Sequence, residues 1–445
     1  MNRYLLKATA VGALGGLLFG FDTAVIAGTT QQLQEVFHLT PWTLGLTISI
    51  GLVGTVIGAM GSGVLGQKIG GREALRIMAI LYLISAVGCA LAWNWDVLMV
   101  ARFIGGLGIG GSSVLGPVYI AELAPAHLRG RLVGTFQINI VIGILLAYLS
   151  NYLISLANLG AVEWRWELGV AAVPAAIFFV LLFAIPMSSR WLSTQSRFDE
   201  AREVLEMMGS PNSEAELQDI RDSLHLELKQ KSASLFERIG GRFRYGRPIF
   251  LAIAIGAFNQ LSGINAILYY LNDIFAAAGF SRISSNLQAV AIGLMNLVAT
   301  LVGMALIDRV GRKMLLLIGA VGTAICLALV AAIFSAHRHQ NLLVWALVAY
   351  IAFFAISQGA VIWVYISEVF PTRVRGKGQS LGSGTHWVMN AILSYTFPVI
   401  ALRSGAYPFI FFSAMMVLQF VMVLLFFPET KQVSLEELQR RLKIV

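Results

Sequence analysis

The chain has 445 residues, of which 57% are hydrophobic and only 12% charged, with a formal net charge of +9 and a mean hydropathy of +0.76. No water-soluble domain has that balance, and a nucleic-acid role, which would need an extended soluble basic face, is excluded with it. The two cysteines, Cys89 and Cys326, both fall in apolar runs, and no Cys/His cluster has metal-ligand spacing, so neither a disulfide framework nor a metal site is expected.

Crossing roughly 30 Å of hydrocarbon takes about 20 apolar residues, and runs of that length recur along almost the whole chain. About twelve are predicted: 8–28, 42–66, 75–94, 97–120, 131–155, 166–187, 247–275, 286–307, 314–335, 342–366, 378–401 and 407–428. The first is too long and too poor a match at its far end for a cleaved signal peptide, so it reads as the first helix of a polytopic bundle.

That first span carries Asp22. An acid within hydrocarbon costs about 2.5 to 3.5 kcal/mol on insertion scales, so its default reading is functional, and it must be paired, protonated or both. At 1.5 Å per residue Asp22 lies about 21 Å from the inner edge and roughly 9 Å from the outer one. Arg102 in the fourth span, about six residues below the outer loop that holds Asp96, is roughly as deep. The two can meet if spans one and four are neighbours. A carboxylate is favoured beside an arginine and disfavoured by burial, and that balance changes as water reaches the site from one side or the other. The pair is therefore a workable proton carrier, with a permanent salt bridge between helices as the plainer alternative.

Glycines crowd the same two spans, at Gly12, Gly15, Gly16 and Gly20 and at Gly105, Gly106, Gly108, Gly110 and Gly111. Small residues at such spacing let helix backbones approach closely in lipid. A phosphate-cradling loop is not indicated, because the run lies inside a predicted span and no Walker-type lysine follows it.

Basic residues fix the orientation, since they mark short cytoplasmic loops. Lys68, Arg72 and Arg76 follow span two, Arg129 and Arg131 span four, Arg309, Arg312 and Lys313 span eight, and Arg373, Arg375 and Lys377 span ten. These are all even-numbered exits, with Arg165, Arg282, Arg338 and Arg403 as scattered exceptions, so both termini are expected in the cytoplasm. The net charge is then topology, with anionic lipid headgroups as its nearest partners.

The long polar stretch from about 188 to 246 holds helix-period segments at 199–208 and 213–228 and reads as a cytoplasmic helical linker, either a latch between halves or a plain solvated bridge. It separates an N-terminal bundle (1–187) from a C-terminal bundle (247–428), followed by a tail (429–445). The halves repeat: Val118-Tyr119-Ile120-Ala121-Glu122, Pro125 and Arg129-Gly130-Arg131 overlay Val364-Tyr365-Ile366-Ser367-Glu368, Pro371 and Arg375-Gly376-Lys377, and Gly71-Arg72 overlays Gly311-Arg312. Both copies leave the membrane on the same face. The expected fold is thus all-α, twelve transmembrane helices in two parallel six-helix repeats, with the substrate site between them.

The second half supplies neutral polar groups. Asn259, Gln260 and Asn265 lie in span seven before Tyr269-Tyr270, and Gln137 and Asn296 add to them from spans five and eight. Amides present both donors and acceptors, which suits a substrate made of hydroxyls, and Trp363 and Trp387 can stack on the C–H face of a sugar ring. Glu122 with Arg129, and Asp308, Arg312, Glu368 and Arg375 with Arg72 in the other half, are candidates for charge networks that close the inner face. Exposed pairs are individually worth little, so only a network would bias the conformational equilibrium.

Across essentially its full length the chain resembles the sugar porter family of the major facilitator superfamily. The likeness rests on Arg102 through Gly111, Pro117 through Arg131, Gln260 through Tyr270, Asp308 through Lys313, and Pro428-Glu429-Thr430-Lys431 leading to Leu435-Glu436-Glu437. It is nearest to the family's bacterial proton-coupled xylose and glucose symporters. The resemblance implies import of a monosaccharide such as D-glucose or D-xylose by alternating access, with Asp22 as the proton-coupling carboxylate and Arg102 its partner. It implies sugar contacts at Gln137, Gln260, Asn265, Asn296, Trp363 and Trp387, with Tyr269 as a lid. Four places depart from the family pattern: Asn259 stands for the first of two glutamines, and His386 for an amide before Trp387. Gly66 through Arg72 lacks the family's Asp-Arg pair, and Pro186-Met187-Ser188-Ser189-Arg190 lacks its Glu and second Pro.

The expectation is therefore a proton-coupled monosaccharide symporter, a monomer of the bacterial inner membrane that needs no cofactor and performs no chemical transformation. A sugar uniporter, which Asp22 argues against, and a proton-coupled polyol carrier are the alternatives within transport. A sugar sensor would need a signalling extension, and a membrane glycosyltransferase would need clustered catalytic acids. Neither is visible.

Overall fold

In the computed structural model the described residues are 2–125, 128–229, 234–239, 242–371, 373–433, 435–442 and 444. The chain runs as α1 (Arg3–Phe37), α2 (Pro41–Ile69), α3 (Gly71–Ala90), α4 (Trp95–Leu123), α5 (Arg129–Leu156), α6 (Glu163–Gly169) and α7 (Ala172–Leu181). Three short helices follow, α8 (Ser189–Thr194), α9 (Phe198–Met208) and α10 (Ser213–Lys229), then a two-residue antiparallel hairpin of β1 (Arg238–Ile239) and β2 (Arg242–Phe243). The rest is α11 (Gly246–Leu261), α12 (Ile264–Tyr269), α13 (Leu271–Ala277), α14 (Arg282–Val310), α15 (Arg312–Ala336), α16 (Leu342–Phe354), α17 (Ala360–Val369), α18 (Arg375–Arg403), α19 (Tyr407–Phe426) and α20 (Leu435–Arg441).

Eleven helical stretches among the described residues are long and apolar enough to cross a bilayer. The remaining predicted span, the eleventh, is α18, which at 29 residues has the length but not the apolarity. Its buried face carries His386, Trp387, Asn390 and Ser394, so functional groups dilute its hydropathy. Large apolar side chains such as Ile57, Val64, Ile84, Val180 and Leu425 are exposed, as a lipid-facing surface requires and a water-facing one does not.

Contacts divide the chain into two compact units, Met1–Gln32 with Ile50–Lys231, and Leu33–Ser49 with Ser232–Val445. In the first, helices meet through missing side chains: a Cβ on Gly106 would run into the Gly51 carbonyl, one on Gly110 into that of Thr55, and one on Gly143 into that of Leu17. The linker helices add to the same unit. Ala201, Val204, Leu205 and Met208 form one face of α9 and join the core made by Leu5, Leu75, Tyr119 and Leu192, and Gly209 closes that helix in the left-handed conformation.

Three predicted spans are interrupted, the tenth by a π-helical stretch at Ala355–Gly359 that parts α16 from α17. The sixth breaks at Val170–Ala171, because Pro174 has no N–H with which to continue the ladder. The seventh breaks at Ser262–Gly263, where the Tyr350 hydroxyl donates to the freed Ser262 carbonyl at 2.9 Å. Irregular backbone at membrane depth is tolerated where such partners exist.

Gly311 (φ 102°) precedes α15, and an added Cβ would lie 2.6 Å from Glu429 Oε2. The close approach lets the Glu429 carboxylate cap the helix, accepting from Arg312 N at 2.9 Å and Lys313 N at 3.0 Å, a favourable charge at a positive helix end. Gly70 (φ 90°) occupies the corresponding place before α3, but there the Trp191 ring fills the position and Met187 stands where a carboxylate would be. Burial alone would raise the Glu429 carboxyl, yet backbone donation from Lys431, Arg312, Lys313 and Thr430 outweighs it and holds the group below its ordinary value of 4.5.

Two outcomes follow. Gly106→Leu should force α2 and α4 apart at a cost of about 1–3 kcal/mol or more, lowering both folded yield and the midpoint of thermal unfolding in detergent. A carboxyl held low in the folded state contributes stability that is present at neutral pH and lost as pH falls through its folded value. The gap in melting temperature between native protein and Glu429→Gln should accordingly be widest near neutrality and close as pH drops below 4.5.

Candidate functional site

Asp22 and Arg102 meet: Arg102 Nη1 lies 3.0 Å from Asp22 Oδ1, with the arginine side chain 5% and the aspartate 20% exposed. Glycine makes the room, since Gly51 presents no side chain beside Arg102 Nη2. The pair borders a small cavity lined also by Val25, Tyr82, Ser85, Cys89, Leu168 and Ala171. The Tyr82 hydroxyl is hydrogen-bonded to Ser112 Oγ at 3.1 Å. The carboxylate thus keeps partial exposure while its cation is buried.

The second unit gathers the amides. Asn265 Nδ2 donates to Gln260 Oε1 at 3.2 Å, and Gln260 Nε2 donates to Asn259 Oδ1 at 3.1 Å. The same Gln260 nitrogen lies 3.2 Å from each ring nitrogen of His386. The shorter Asn259 and the ring at 386 are thus bridged by one amide, so the two departures from the family pattern sit together. The break before Gly263 explains how residues from consecutive short helices converge on one point. His386 is flanked by aromatic rings, with Trp363 at 5.2 Å and Trp387 at 5.0 Å between centroids. Tyr269 accepts from Asn390 Nδ2 at 3.4 Å, and Asn390 Oδ1 accepts from Ser394 at 3.1 Å. Asn296 is buried on α14, while Gln137 lies half-buried on α5 of the first unit.

At the Glu429 end of the second unit, Arg312 is a hub. Its Nη1 reaches Asp308 Oδ1 at 3.0 Å and its Nη2 reaches Glu368 Oε1 at 2.9 Å, and Glu368 Oε2 accepts from Thr430 Oγ1 at 2.6 Å. Arg375 stands apart, donating to the Phe370 carbonyl at 3.4 Å. In the first unit Arg72 and Arg76 share Glu73, each at 2.7 Å. Glu122 is held by the Ser188 side chain and faces Arg190, while Arg129 donates to the Ala121 carbonyl at 3.1 Å. Among the described residues no ion pair joins Glu122 to Arg129. The repeat survives in finer detail: Tyr119 donates to the Pro186 carbonyl at 2.7 Å, and Tyr365 to that of Pro428 at 3.2 Å.

Several site residues escape a reading by motif. Asn390 and Ser394 follow His386 at four-residue steps, a polar stripe on one helix face. Glu163 and Glu167, 4% and 0% exposed on α6, are intramembrane acids, and the rule that singles out Asp22 applies to Glu167 as well, since it lies inside the predicted sixth span.

The profile of the family described as sugar (and other) transporter matches residues 8–442. The D-xylose-proton symporter of Escherichia coli strain K12 is 34% identical, covering 98% of this chain and 96% of its own length. The galactose-proton symporter of the same organism is 36% identical over 97% of this chain and 93% of its own. Among solved structures, the inward-open conformation of the xylose transporter XylE from E. coli is similar with a TM-score of 0.86, at 33% identity over 98% of this chain and all of that one. The chain belongs to the sugar transporter family of the major facilitator superfamily and is a multi-pass membrane protein with that family's twelve-helix, two-repeat fold.

Proposed function

We propose that this protein is a proton-coupled symporter that imports a monosaccharide by alternating access. One observation carries the coupling: an intramembrane carboxylate, Asp22, lies 3.0 Å from a buried arginine beside a small cavity. A uniporter has no need of an acid whose placement in hydrocarbon is costly. Relatives named as D-xylose-, arabinose- and galactose-proton symporters support the same reading.

In this reading Asp22 loads a proton, its charge is neutralised, and reorientation follows once sugar is bound. The sugar is met by the neutral donors and acceptors of Gln260, Asn265, Asn259, Asn296 and His386, with Trp363 and Trp387 against its C–H face, Gln137 as the first unit's contribution and Tyr269 as the lid. Every bond offered is to a hydroxyl rather than to a charge, so the substrate is a neutral sugar such as D-xylose or D-glucose. Arg312 with Asp308 and Glu368, together with Arg72, Glu122, Arg129 and Arg375, serve as the inner gate. The carrier acts as a monomer in the bacterial inner membrane with both termini in the cytoplasm. It moves its substrate unchanged, without enzymatic chemistry.

The deciding experiment is sugar-induced proton uptake by the purified protein in liposomes, across hexoses and pentoses. The native chain should alkalinise the outer medium with its preferred sugar, and Asp22→Asn should abolish that signal together with accumulation against a gradient. Sugar flux without proton movement in the native protein overturns the symport reading. Gln260→Ala removes an amide that can make two hydrogen bonds, each worth about 0.5–1.5 kcal/mol. It should raise the half-saturating sugar concentration about tenfold while leaving the ratio of protons to sugar unchanged.

A further inference from the structure

Asp22 and Arg102 leave a charge problem unsolved. When Asp22 is protonated, the guanidinium of Arg102, 5% exposed, no longer faces an ionised Asp22, and a buried charge in hydrocarbon needs an opposite one to balance it. The structure holds a second acid at the same level. Arg102 is seven residues from the first residue of α4, and Glu167 is seven from the first residue of the sixth span at Gly160, which puts each about 10 Å deep. The two helix starts are on one side of the unit, since Arg165 Nη1 donates to the carbonyl of Ala90, the last residue of α3, at 2.8 Å.

Direction agrees with depth. Leu168 and Ala171 of the sixth span line the cavity that Asp22 and Arg102 border. Glu167 adjoins Leu168 on α6 and stands four residues before Ala171, which follows the break, so the span brings it beside that cavity without making it part of the lining. It is wholly buried at 0% exposure, in a helix packed against α3 and α5. Nothing in the proton or sugar chemistry described above uses it.

We propose that Glu167 is the standing counter-ion of Arg102, the carboxylate that balances the arginine whenever Asp22 carries the proton. This rests on the symport reading and adds to it which form of the carrier crosses the membrane without charge. With Glu167 ionised, the loaded site holds neutral Asp22, cationic Arg102 and anionic Glu167, and sums to zero. The empty site, with Asp22 ionised, is an anion. With Glu167 absent the loaded site is a cation and the empty one is neutral. In an inside-negative membrane, voltage then acts on the return of the empty carrier and not on delivery of the sugar.

The test is sugar exchange in liposomes, with saturating sugar and equal pH on both sides so that only the loaded carrier moves. Labelled D-xylose and D-glucose serve in turn as probes, and the membrane potential is clamped with a potassium gradient and valinomycin. Exchange by the native protein should be the same at zero and at about 100 mV inside-negative, a potential that acts strongly on any moving charge. Glu167→Gln should make exchange slow several-fold under the clamp, and Glu167→Asp should restore insensitivity. Voltage-sensitive exchange by the native protein, or clamp-insensitive exchange by Glu167→Gln, overturns the assignment. Should Glu167→Gln fail to fold, the native protein alone decides. Sugar-induced proton uptake in the same vesicles separates the failures. Uptake with voltage-sensitive native exchange overturns the role of Glu167 only, whereas no uptake overturns symport and that role with it.

Discussion

A guanidinium and a carboxylate inside a bilayer cannot be left apart, and most of the first unit is arranged around that fact. Water is not available to solvate Arg102, so Asp22 must come to it, and helices α1 and α4 are held at the distance that a 3.0 Å contact allows. Glycine is the means. Gly51 makes room at the guanidinium itself, and Gly106 and Gly110 bring α2 against the helix that carries it. A larger residue at any of these points would disturb the Asp22–Arg102 pair as surely as replacing the acid. Site and scaffold are therefore one packing problem in this unit.

The two halves repeat in topology but differ in how they are fastened. Each has a left-handed glycine before its third helix and a tyrosine that ties the fourth helix to a proline carbonyl. In the second unit the end is closed by charge, with Glu429 on the α15 backbone and Arg312 joined to Asp308 and Glu368. In the first, Trp191 packs over Gly70 and donates to the Gln67 carbonyl at 3.0 Å, and Glu73 holds Arg72 and Arg76 within its own helix. One end is fastened by ion pairs that water and salt can weaken; the other rests on an indole ring and on backbone carbonyls that accept from Arg72, Arg76 and Tyr119.

What the sequence reveals follows from how local each signal is. Long apolar runs announce the helices because the bilayer imposes their length, and the linker helices at 198–208 and 213–229 show themselves by periodicity. Asp22 stands out because it is an acid with apolar neighbours, and equal depth allows it to meet Arg102 on the condition, met here, that α1 and α4 are neighbours. The break at Ser262–Gly263 is hidden, since it is stabilised by Tyr350 from a distant helix. The β1–β2 hairpin is too short to leave a pattern. Glu163 and Glu167 are overlooked for a different reason: they flank Arg165 and Trp166, so the segment reads as the polar rim of a span although both acids are buried. The bridging of Asn259 and His386 through Gln260 joins residues on separate helices, which no spacing along one chain can show.

The polarity of α18 bears on how the protein is made. A helix whose buried face bears His386, Asn390 and Ser394 partitions poorly into lipid by itself, so its place in the bilayer depends on neighbours already seated, above all α11, against which it packs. During synthesis the eleven more apolar segments can enter as they emerge, whereas this one must wait for a prepared polar surface. Damage to α11 would then surface in biogenesis, as a chain whose eleventh span is left outside the membrane and delivered to quality control before any sugar is met.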